Sequence, residues 1–446
     1  MNPIRVTMIS LGCSKNQVDG EVMLGRLAQS DGEFVLVSEP EQADVVIVNT
    51  CGFIESAKAE AIENILDMAQ LKVNGVIRGI VVTGCLAERY REQLRAEMPE
   101  IDVVLGIGSN DDIARAVREA SSGHGFEQFG PKTNLVGGGT RIRTTPWYTA
   151  YLKIAEGCDN RCAFCAIPSI RGPYRSRPME ELLDEARTLA ADGVFELNVV
   201  AQDTTRYGED LYGESRLPEL LEGLAQIEGI RWVRTLYCYP DRISERLLRV
   251  IGAHESLVPY IDLPIQHASD PVLRRMNRHA DAARTMQAIE DIRRLLPDAV
   301  LRTTLMVGFP GETEEDFELL LDFVKKVRFD RVGVFTFSME EGTPAERFGD
   351  DVPEETKQSR RERLMLAQQR IVEQKNREKI GDVYETVVEG YLPEDGVYFG
   401  RTQYDAPEVD GTAFFHSERA LCEGDLVPVE IEQVVDYDLY GHVVQA

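Results

Sequence analysis

Short runs of β-branched and other apolar residues alternate with amphipathic segments along the first 120 or so residues. The apolar runs predict four strands, at residues 5–10, 44–48, 79–83 and 102–105. Apolar residues recur at helical spacing between them, which predicts helices at 55–71 and 88–98. This alternation is typical of a parallel sheet with covering helices, so we expect an N-terminal α/β domain over residues 1–120.

Residues 121–145 lose this periodicity and are rich in glycine, which predicts a linker. A second alternating region follows, and its apolar runs predict six strands, at 151–155, 197–201, 232–237, 260–263, 301–307 and 331–336. A helical segment follows each of these strands. Six such units favour an open or partial (β/α)6 barrel over a complete eightfold one, and we expect this domain over residues 146–377.

The pattern changes again after a charged helical segment at 355–380. Short apolar runs punctuated by Gly and Asp then predict strands at 384–389, 397–401, 413–415, 426–431 and 442–445. Five such strands favour a small OB-like β-barrel over residues 378–446. The expected fold class is α/β, with an N-terminal parallel-sheet domain, a partial (β/α)6 barrel and a five-stranded β-barrel.

Composition and charge narrow the function classes. The 446 residues include no apolar run of membrane-span length and no signal-peptide pattern at the start, so we expect a cytoplasmic protein without a membrane partner. A formal net charge of −27 disfavours a general nucleic-acid binder. The same charge fits either attraction to a basic partner or ordinary solvated acidic faces.

The richest motif is CxxxCxxC, whose cysteines Cys158, Cys162 and Cys165 we call the loop triad. A cubane iron–sulfur cluster usually takes four thiolates, so three would leave one iron open to a substrate or cofactor. A structural zinc loop is the alternative, but zinc needs a fourth ligand and none lies nearby in sequence. Because the motif follows the first barrel strand, we expect it at the C-terminal mouth of the barrel.

Cys13, Cys51 and Cys85, which we call the N-terminal triad, each fall just after a predicted strand. Strands of a parallel sheet end at one edge, so these three distant thiols can meet there. Three unrelated buried cysteines are the alternative, although the repeated placement beside Gly or Thr favours a shared metal site. Cys238 and Cys422 lack metal-ligand spacing, and we predict that both are buried structural thiols.

The CxxxCxxC motif resembles the signature of radical S-adenosylmethionine (SAM) enzymes. With the N-terminal triad and the C-terminal barrel, the whole chain resembles the methylthiotransferases of that group, whose last domain is of the TRAM type. The runs Leu-Pro-Ile-Gln-His-Ala-Ser-Asp (263–270) and Val-Gly-Phe-Pro-Gly-Glu-Thr (307–313) are similar to runs shared broadly in this family.

The resemblance implies two 4Fe-4S clusters, one on each triad, with SAM as cofactor. One SAM would donate a methyl group to sulfur held at the second cluster. Another would supply the 5′-deoxyadenosyl radical that takes hydrogen from an unactivated carbon. An electron donor and a sulfur donor would be partners. An iron–sulfur scaffold or electron-transfer protein without radical chemistry remains the alternative of a different class.

Two substrate classes occur in this family, a tRNA adenosine and the β-carbon of an aspartate in small-subunit ribosomal protein twelve. The three cysteine-containing runs, at 10–19, 49–57 and 155–168, resemble the enzymes that modify the ribosomal protein. The resemblance therefore implies that basic protein as substrate, and the tRNA adenosine remains the alternative.

Charge in the last domain supports the protein substrate. From residue 382 onward there are 15 Asp and Glu but only Arg401 and Arg419, with no lysine. An RNA-binding barrel is expected to carry a basic face, whereas an acidic one suits a basic ribosomal protein, so we expect no sequence-specific nucleic-acid binding. The basic segment 355–380 argues the other way, but its cations are interleaved with glutamates, which predicts a salt-bridged, solvated face.

Polar residues near the predicted ends of the barrel strands are candidates for binding SAM. They are Gln202, Asp203, Gln266, Ser269 and Glu312. The alternative for each of them is a structural role as a helix N-cap or a strand-end turn residue. His267 is expected to be a structural histidine, and no catalytic residue is assigned.

Overall fold

The computed structural model of the chain describes residues 2–133 and 139–444. Two six-stranded parallel sheets are followed by a closed five-stranded barrel, which confirms the predicted α/β fold class. Among the described residues, every helix is too short or too polar to span a bilayer.

All strands of the first sheet are parallel and lie in the order β2-β1-β3-β4-β5-β6. They are β1 (Ile4–Ser10), β2 (Phe34–Leu36), β3 (Val45–Thr50), β4 (Gly79–Gly84), β5 (Val103–Leu105) and β6 (Phe126–Gln128). Four helices cover the sheet: α1 (Ser14–Ala28), α2 (Glu55–Val73), α3 (Cys85–Glu97) and α4 (Ile113–Ser121). Alternate residues of β3 enter two separate apolar cores, Val46 with Val48 and Val45 with Ile47, as in strands covered on both faces.

The four strands predicted in this region are present, and β2 and β6 are additional. Strand β6 lies within 121–145, where the loss of periodicity predicts no strand, and it pairs with β5 at the sheet edge. Its three residues are all half-buried, so the segment shows no alternation that a sequence pattern could reveal. Residues 134–138 of the predicted linker lie outside the described residues.

The second sheet is also entirely parallel, in the order β14-β13-β12-β11-β10-β7, and it is open between β7 and β14. A separate two-stranded ribbon is formed by β8 and β9. The strands of this region are β7 (Thr149–Lys153), β8 (Ala155–Glu156), β9 (Arg175–Ser176), β10 (Glu196–Val200), β11 (Trp232–Thr235), β12 (Leu257–Asp262), β13 (Val300–Val307) and β14 (Arg331–Thr336). The predicted partial (β/α)6 barrel is therefore confirmed.

Nine helices follow in this part of the described chain. They are α5 (Ile167–Arg171), α6 (Met179–Ala191), α7 (Glu209–Tyr212), α8 (Leu217–Ala225), α9 (Glu245–Ala253), α10 (Asp270–Arg275), α11 (Ala282–Leu295), α12 (Glu314–Val327) and α13 (Glu354–Glu378). The barrel strands and their covering helices share the largest apolar core of the protein.

Helix α13 corrects one prediction in part, because three of its cations pair with acids outside the helix, although Arg361 and Arg370 are exposed as expected. Arg360 is buried and pairs with Glu312 of the barrel at 3.0 Å. Arg363 pairs with Glu314 at 2.9 Å, and Lys375 pairs with Asp330. These ion pairs bind α13 to the barrel, a tertiary arrangement that its own charge pattern could not reveal.

The C-terminal barrel closes in the order β15-β16-β17-β19-β18. Its strands are β15 (Val383–Leu392), β16 (Val397–Thr402), β17 (Ala413–His416), β18 (Leu426–Val435) and β19 (Asp438–Val443). Strand β19 begins four residues before the predicted 442–445, because β18 and β19 form a tight hairpin in which Asp436 has φ +53°. Residue 445 of that prediction lies outside the described residues. Cys422 is exposed, so its predicted burial is wrong, whereas Cys238 is buried as predicted.

The C-terminal barrel docks on the (β/α)6 barrel through buried ion pairs. Arg401 donates to Glu196 at 2.6 Å, and Arg234 binds the same carboxylate. Arg331 pairs with Asp405 at 2.6 Å. The two arginines hold the pKa of Glu196 near 2 even though burial opposes its charge. One of the two arginines of the last domain is therefore used for docking.

Candidate active site at two cysteine triads

The N-terminal triad lies at the carboxyl edge of the first sheet. Strand register pairs Ser10 with Asn49 and Thr50 with Gly84, so β1, β3 and β4 end at nearly the same level. Cys51 and Cys85 directly follow two of these strand ends, and Cys13 is the N-cap of α1. The predicted placement at strand ends is confirmed.

Two glycines let these turns approach each other closely. Gly12 has φ +93°, and a Cβ there would lie 2.6 Å from Cβ and 3.0 Å from Sγ of Cys51. Gly84 also has φ +93°, and its Cβ would lie 2.4 Å from the carbonyl oxygen of Thr50. A side chain at either position would clash and strain the backbone, so both glycines are needed where the strand ends converge.

The thiols of this triad share one electrostatic environment. Burial raises the pKa of Cys85 to about 12, opposed by the guanidinium of Arg171. Burial also raises the pKa of Cys51. For Cys13 burial acts in the same direction, but Lys15 and Arg171 reverse it and leave the pKa below its ordinary value. Because Cys13 acts on the pKa of both other thiols, the three lie within electrostatic reach of one another.

The loop triad follows β8 on a loop that the barrel holds in several places. Asn160 donates to a carboxylate oxygen of Asp203 at 2.8 Å. Asn277 donates to the carbonyl of Arg161, whose φ is +51°. Ala163 N–H donates to the Met276 carbonyl at 2.8 Å. The loop triad therefore takes its shape from contacts within one domain.

A half-buried arginine lies against this triad. Arg278 donates to Sγ of Cys162 at 3.4 Å, and the hydroxyl of Tyr239 is 4.0 Å from the same sulfur. Burial raises the pKa of Cys158 to about 12 and also raises that of Cys165. Arg278 opposes the effect of burial on the pKa of Cys165.

Neither triad is arranged around a single ion. Across the described ranges 2–133 and 139–444, no three His, Cys, Asp or Glu side chains converge on a point that could hold one metal ion. A zinc site needs such convergence, whereas an iron–sulfur cluster takes its thiolates on separate irons. Each triad offers three thiols beside an arginine, a donor set that fits an iron–sulfur cluster with one open iron.

Arg171 of the barrel domain contacts the N-terminal triad across the domain junction. It ends α5, six residues after Cys165, and donates to Cys85 of the N-terminal triad at 3.5 Å. The same guanidinium binds Asp19 at 3.0 Å and Glu156 at 2.9 Å. Lys153 pairs with the same two carboxylates, and all four charged side chains are 1% exposed. A dry ionic cluster therefore fastens α1 to the barrel beside Cys85.

Apolar contacts close the same junction. Cys85 and Ile107 of the first domain pack against Ala166 and Ile170 of α5. Farther along the junction Glu340 accepts from Arg89 at 2.9 Å. Water is thus excluded from the side of Cys85 that faces the barrel.

Two of the residues proposed to bind SAM have side-chain atoms without a hydrogen-bond partner among the described residues. Gln202 follows β10, and its Oε1 is buried without a hydrogen-bond partner among the described residues. Gln266 has φ +72°, and its backbone bonds with Thr304 and Met306 and so joins the edge of β13. Its side chain is half-buried and makes no hydrogen bond to the described chain. Both positions suit contacts to a polar ligand.

The other three candidates hold turns of the barrel. The hydroxyl of Ser269 donates to Asp316. Glu312 accepts from Gly308 N–H at 2.6 Å and binds Arg360, while burial raises its pKa to about 7. Asp203 holds the cysteine loop through Asn160. Their side chains have the protein contacts expected of turn residues.

His267 is buried beside this turn. Its Nδ1 accepts from Ser269 N–H at 3.0 Å, and burial lowers its pKa to about 4. The neutral imidazole is therefore part of the barrel interior at neutral pH, as expected of a structural histidine.

Three cations at the site were not among the predicted residues. They are Lys15, Arg171 and Arg278. Lys15 and Arg171 follow the cysteine motifs closely in sequence. This proximity is the only feature of the local sequence that could have identified them as site residues. Burial disfavours the charged form of Lys15, but Tyr237 and Cys13 raise its pKa above the ordinary value.

A cleft of about 1070 Å³ lies away from both triads. It is lined by residues before and within β11 and β12 and by residues of the C-terminal barrel, including Trp232, His254, Glu385 and Tyr404. Catalytic sites of such barrels lie at the carboxyl ends of the strands, so the triads mark the reactive end and this cleft belongs to the docking interface.

Three family models match successive parts of the chain. The model described as Uncharacterized protein family UPF0004 matches residues 5–106. The Radical SAM superfamily matches residues 152–324, and the TRAM domain matches residues 380–444. The N-terminal triad falls in the first match and the loop triad in the second.

Among curated proteins, the chain is 48% identical to the ribosomal protein uS12 methylthiotransferase RimO of Clostridioides difficile, covering 99% of each chain. It is 49% identical to the protein of the same name from Pelotomaculum thermopropionicum, again over 99% of both. Similarity to these proteins therefore runs through all three domains.

Among solved structures, the radical SAM methyltransferase TsrM from Kitasatospora setae, with cobalamin and a 4Fe-4S cluster bound, has a TM-score of 0.58 at 13% identity. The alignment covers 77% of each chain, and it shows the fold alone. The cobalamin-dependent radical enzyme OxsB aligns with a TM-score of 0.52 at 13% identity over 82% of this chain and 56% of its own. From the domain content and the curated relatives, the chain belongs to the radical-SAM methylthiotransferase family, among the proteins named RimO.

Proposed function

We propose that this enzyme attaches a methylthio group to the β-carbon of an aspartate in ribosomal protein uS12. The reaction would use two SAM molecules and two 4Fe-4S clusters, with an electron donor and a sulfur donor as partners. The proposal is supported by the contacts of Cys85 with Arg171 and with Ala166, the residue after Cys165, together with the uS12 substrate named for the relatives.

Each triad has a separate task in this proposal. Cys158, Cys162 and Cys165 would hold the cluster that leaves an iron for SAM, and the N-terminal triad would hold the second cluster. When bound, these groups supply a one-electron cleavage of SAM to a carbon radical and a site for the transferred sulfur. A C–H bond without an acidic proton requires such a radical, because general acid–base groups cannot activate it.

The side chains of the protein bind, orient and protect. Gln202, with its unpartnered buried oxygen, would bind a polar group of SAM, and Gln266 would do so from the neighbouring strand. We retain Ser269 and Glu312 as supports of that SAM site through the turns that they hold. The dry junction around Arg171 would keep water away from the radical.

The C-terminal barrel would attract the basic substrate protein. Its exposed acidic side chains are Asp382, Glu394, Asp395, Glu408, Glu418, Glu423, Glu432 and Asp436. Arg419 is the one exposed arginine of this barrel within the described residues, since Arg401 is buried against Glu196. A face of one charge sign speeds the encounter with an oppositely charged partner and makes that encounter sensitive to salt.

Mass spectrometry of uS12 from cells that lack this gene tests the proposal. A plasmid copy of the wild type should restore one methylthio group on an aspartate, and a Cys162→Ala copy should not. Expression of both copies is checked by immunoblot. An aspartate that stays modified in the deletion strain, with a tRNA adenosine losing its methylthio group, would instead identify tRNA as the substrate.

A further inference from the structure

Lys15 is the exception among the buried cations at the domain junction. Its side chain is on the first turn of α1, two residues after Cys13, and the residue is 6% exposed. Lys153 and Arg171 are also buried, each 1% exposed, and each pairs with Asp19 and Glu156. In contrast, no carboxylate in the described chain lies within ion-pair distance of Lys15.

An aromatic ring takes the place of a carboxylate. The ammonium of Lys15 lies 3.4 Å from the ring centroid of Tyr237, which follows β11 and has φ +61°. A cation–π contact attracts an ammonium but replaces only part of its lost hydration. The N-terminal end of the 15-residue helix α1 adds further positive potential at the same point. The site therefore has the Cys13 thiol as an acidic neighbour but lacks a carboxylate among the described residues.

Lys15 lies where the first domain contacts a barrel segment that also approaches the loop triad. Cys13 of the N-terminal triad is two residues before Lys15 in sequence. On the barrel side, Tyr239 is two residues after Tyr237, and its hydroxyl is 4.0 Å from Cys162 of the loop triad. An anion bound to Lys15 would thus lie where the two halves of the site meet.

From this placement we propose that Lys15 binds the side-chain carboxylate of the substrate aspartate, an inference that rests on the proposed function. The β-carbon of aspartate is bonded directly to the carboxylate carbon, so fixing the carboxylate also fixes the carbon that reacts. Lys15 then acts as a binding and specificity residue, and the neutral amide of asparagine is a poorer partner for its charge.

The test compares binding of uS12 and of uS12 with its target aspartate changed to asparagine. Both are titrated into anaerobically reconstituted, SAM-loaded wild type and Lys15→Met enzyme. We expect the wild type to prefer the aspartate form by about 10- to 100-fold, since a hydrogen bond to a charged partner has that effect. The Lys15→Met enzyme should bind both forms within about threefold.

Control variants separate this role from others. Lys72→Met removes a lysine that already pairs with Asp102 at 2.7 Å, and it should keep the full preference. Lys15→Arg keeps the charge and should keep part of the preference. Lys15→Met should retain its iron content, its melting temperature and SAM cleavage in the absence of uS12.

Two results would overturn the inference. One is a Lys15→Met enzyme that still prefers aspartate as strongly as the wild type does. The other is loss of iron from that variant, because Lys15 would then support the cluster on Cys13 instead. Failure of the proposed function has a different signature, in which wild-type enzyme adds no methylthio group to uS12 at all, and the inference would fail with it.

Discussion

The two cysteine triads offer the same set of ligands but are built in opposite ways. The loop triad comes from eight consecutive residues, and contacts within one barrel hold its loop. The N-terminal triad comes from three strand ends that only a parallel sheet brings to one edge. Its surroundings are completed by Arg171 from the other domain. The loop triad is therefore encoded locally in the sequence, whereas the surroundings of the N-terminal triad depend on domain docking.

The largest expected effect comes from removing one ligand of each triad. Cys51→Ala and Cys162→Ala should each lose about four of about eight irons, because each triad would hold its own four-iron cluster. Iron and sulfide assays on anaerobically reconstituted protein measure this loss. Cys238→Ala, a buried thiol outside both triads, is the control and should keep all its iron. If either ligand variant lost all of its iron or none, the triads would not hold independent clusters.

The arginine beside each triad, Arg171 or Arg278, should contribute differently to the stability of the protein. Arg171→Met should lower the free energy of unfolding by about 3–5 kcal/mol, because it leaves excess negative charge in the dry cluster around Asp19 and Glu156. Arg278→Met should cost only about 1–2 kcal/mol, since the arginine is half-buried and no carboxylate pairs with it among the described residues. Urea titration measures both values. Equal losses would contradict the view that only the N-terminal triad depends on docking.

A smaller effect is expected on the stability of the protein in acid, and it arises from His267 in the (β/α)6 barrel. Burial lowers the pKa of His267 to about 4 from an ordinary value near 6.5. Between these pH values the unfolded chain binds a proton that the folded chain refuses, so stability falls as pH falls, by up to about 3 kcal/mol at pH 4.

His267→Asn should remove this component of the pH dependence while the remaining acid sensitivity stays. Denaturant titrations of wild type and variant between pH 7 and pH 4 measure the difference. Parallel pH curves for the two proteins would show that His267 does not titrate in this way.

The smallest effect concerns the loop that carries Cys162. Asp203→Asn places an amide where the carboxylate accepts from Asn160 and Thr205, and should cost about 1–3 kcal/mol. Thr205→Val removes the second contact and the hydrogen bond that Thr205 accepts from Tyr239 N–H, but it keeps the bond from Asn160 to Asp203 and is therefore the control. Urea titration and iron content measure both variants. A larger loss of iron from Thr205→Val than from Asp203→Asn would contradict the assigned role of Asn160 and Asp203 in holding the loop.

Sequence periodicity predicted most of the fold because its strands are regular and well buried. The loop triad could be recognised from spacing alone, and the N-terminal triad could be found by adding the rule that parallel strands end at one edge. Strand β6 and the paired face of α13 could not be predicted, because both depend on contacts with residues far away in sequence.

The charged residues around the triads show the same limit. Lys15 and Arg171 are adjacent to cysteine motifs, but only the docked domains reveal that one cation is paired and the other lacks a carboxylate partner. Among the SAM candidates, Gln202 keeps an unpartnered oxygen, whereas Glu312 is bound by Arg360. A position near a strand end could not show which side chain is left open for a ligand and which is bound by another residue.

A product assay tests the division of labour between the triads most directly. Reduced, reconstituted enzyme is incubated with SAM and uS12, and 5′-deoxyadenosine and methylthiolated uS12 are measured in the same mixture. The account predicts that Cys51→Ala still forms 5′-deoxyadenosine but no methylthiolated uS12, whereas Cys162→Ala forms neither. Methylthiolated uS12 from the Cys51→Ala enzyme would contradict the account.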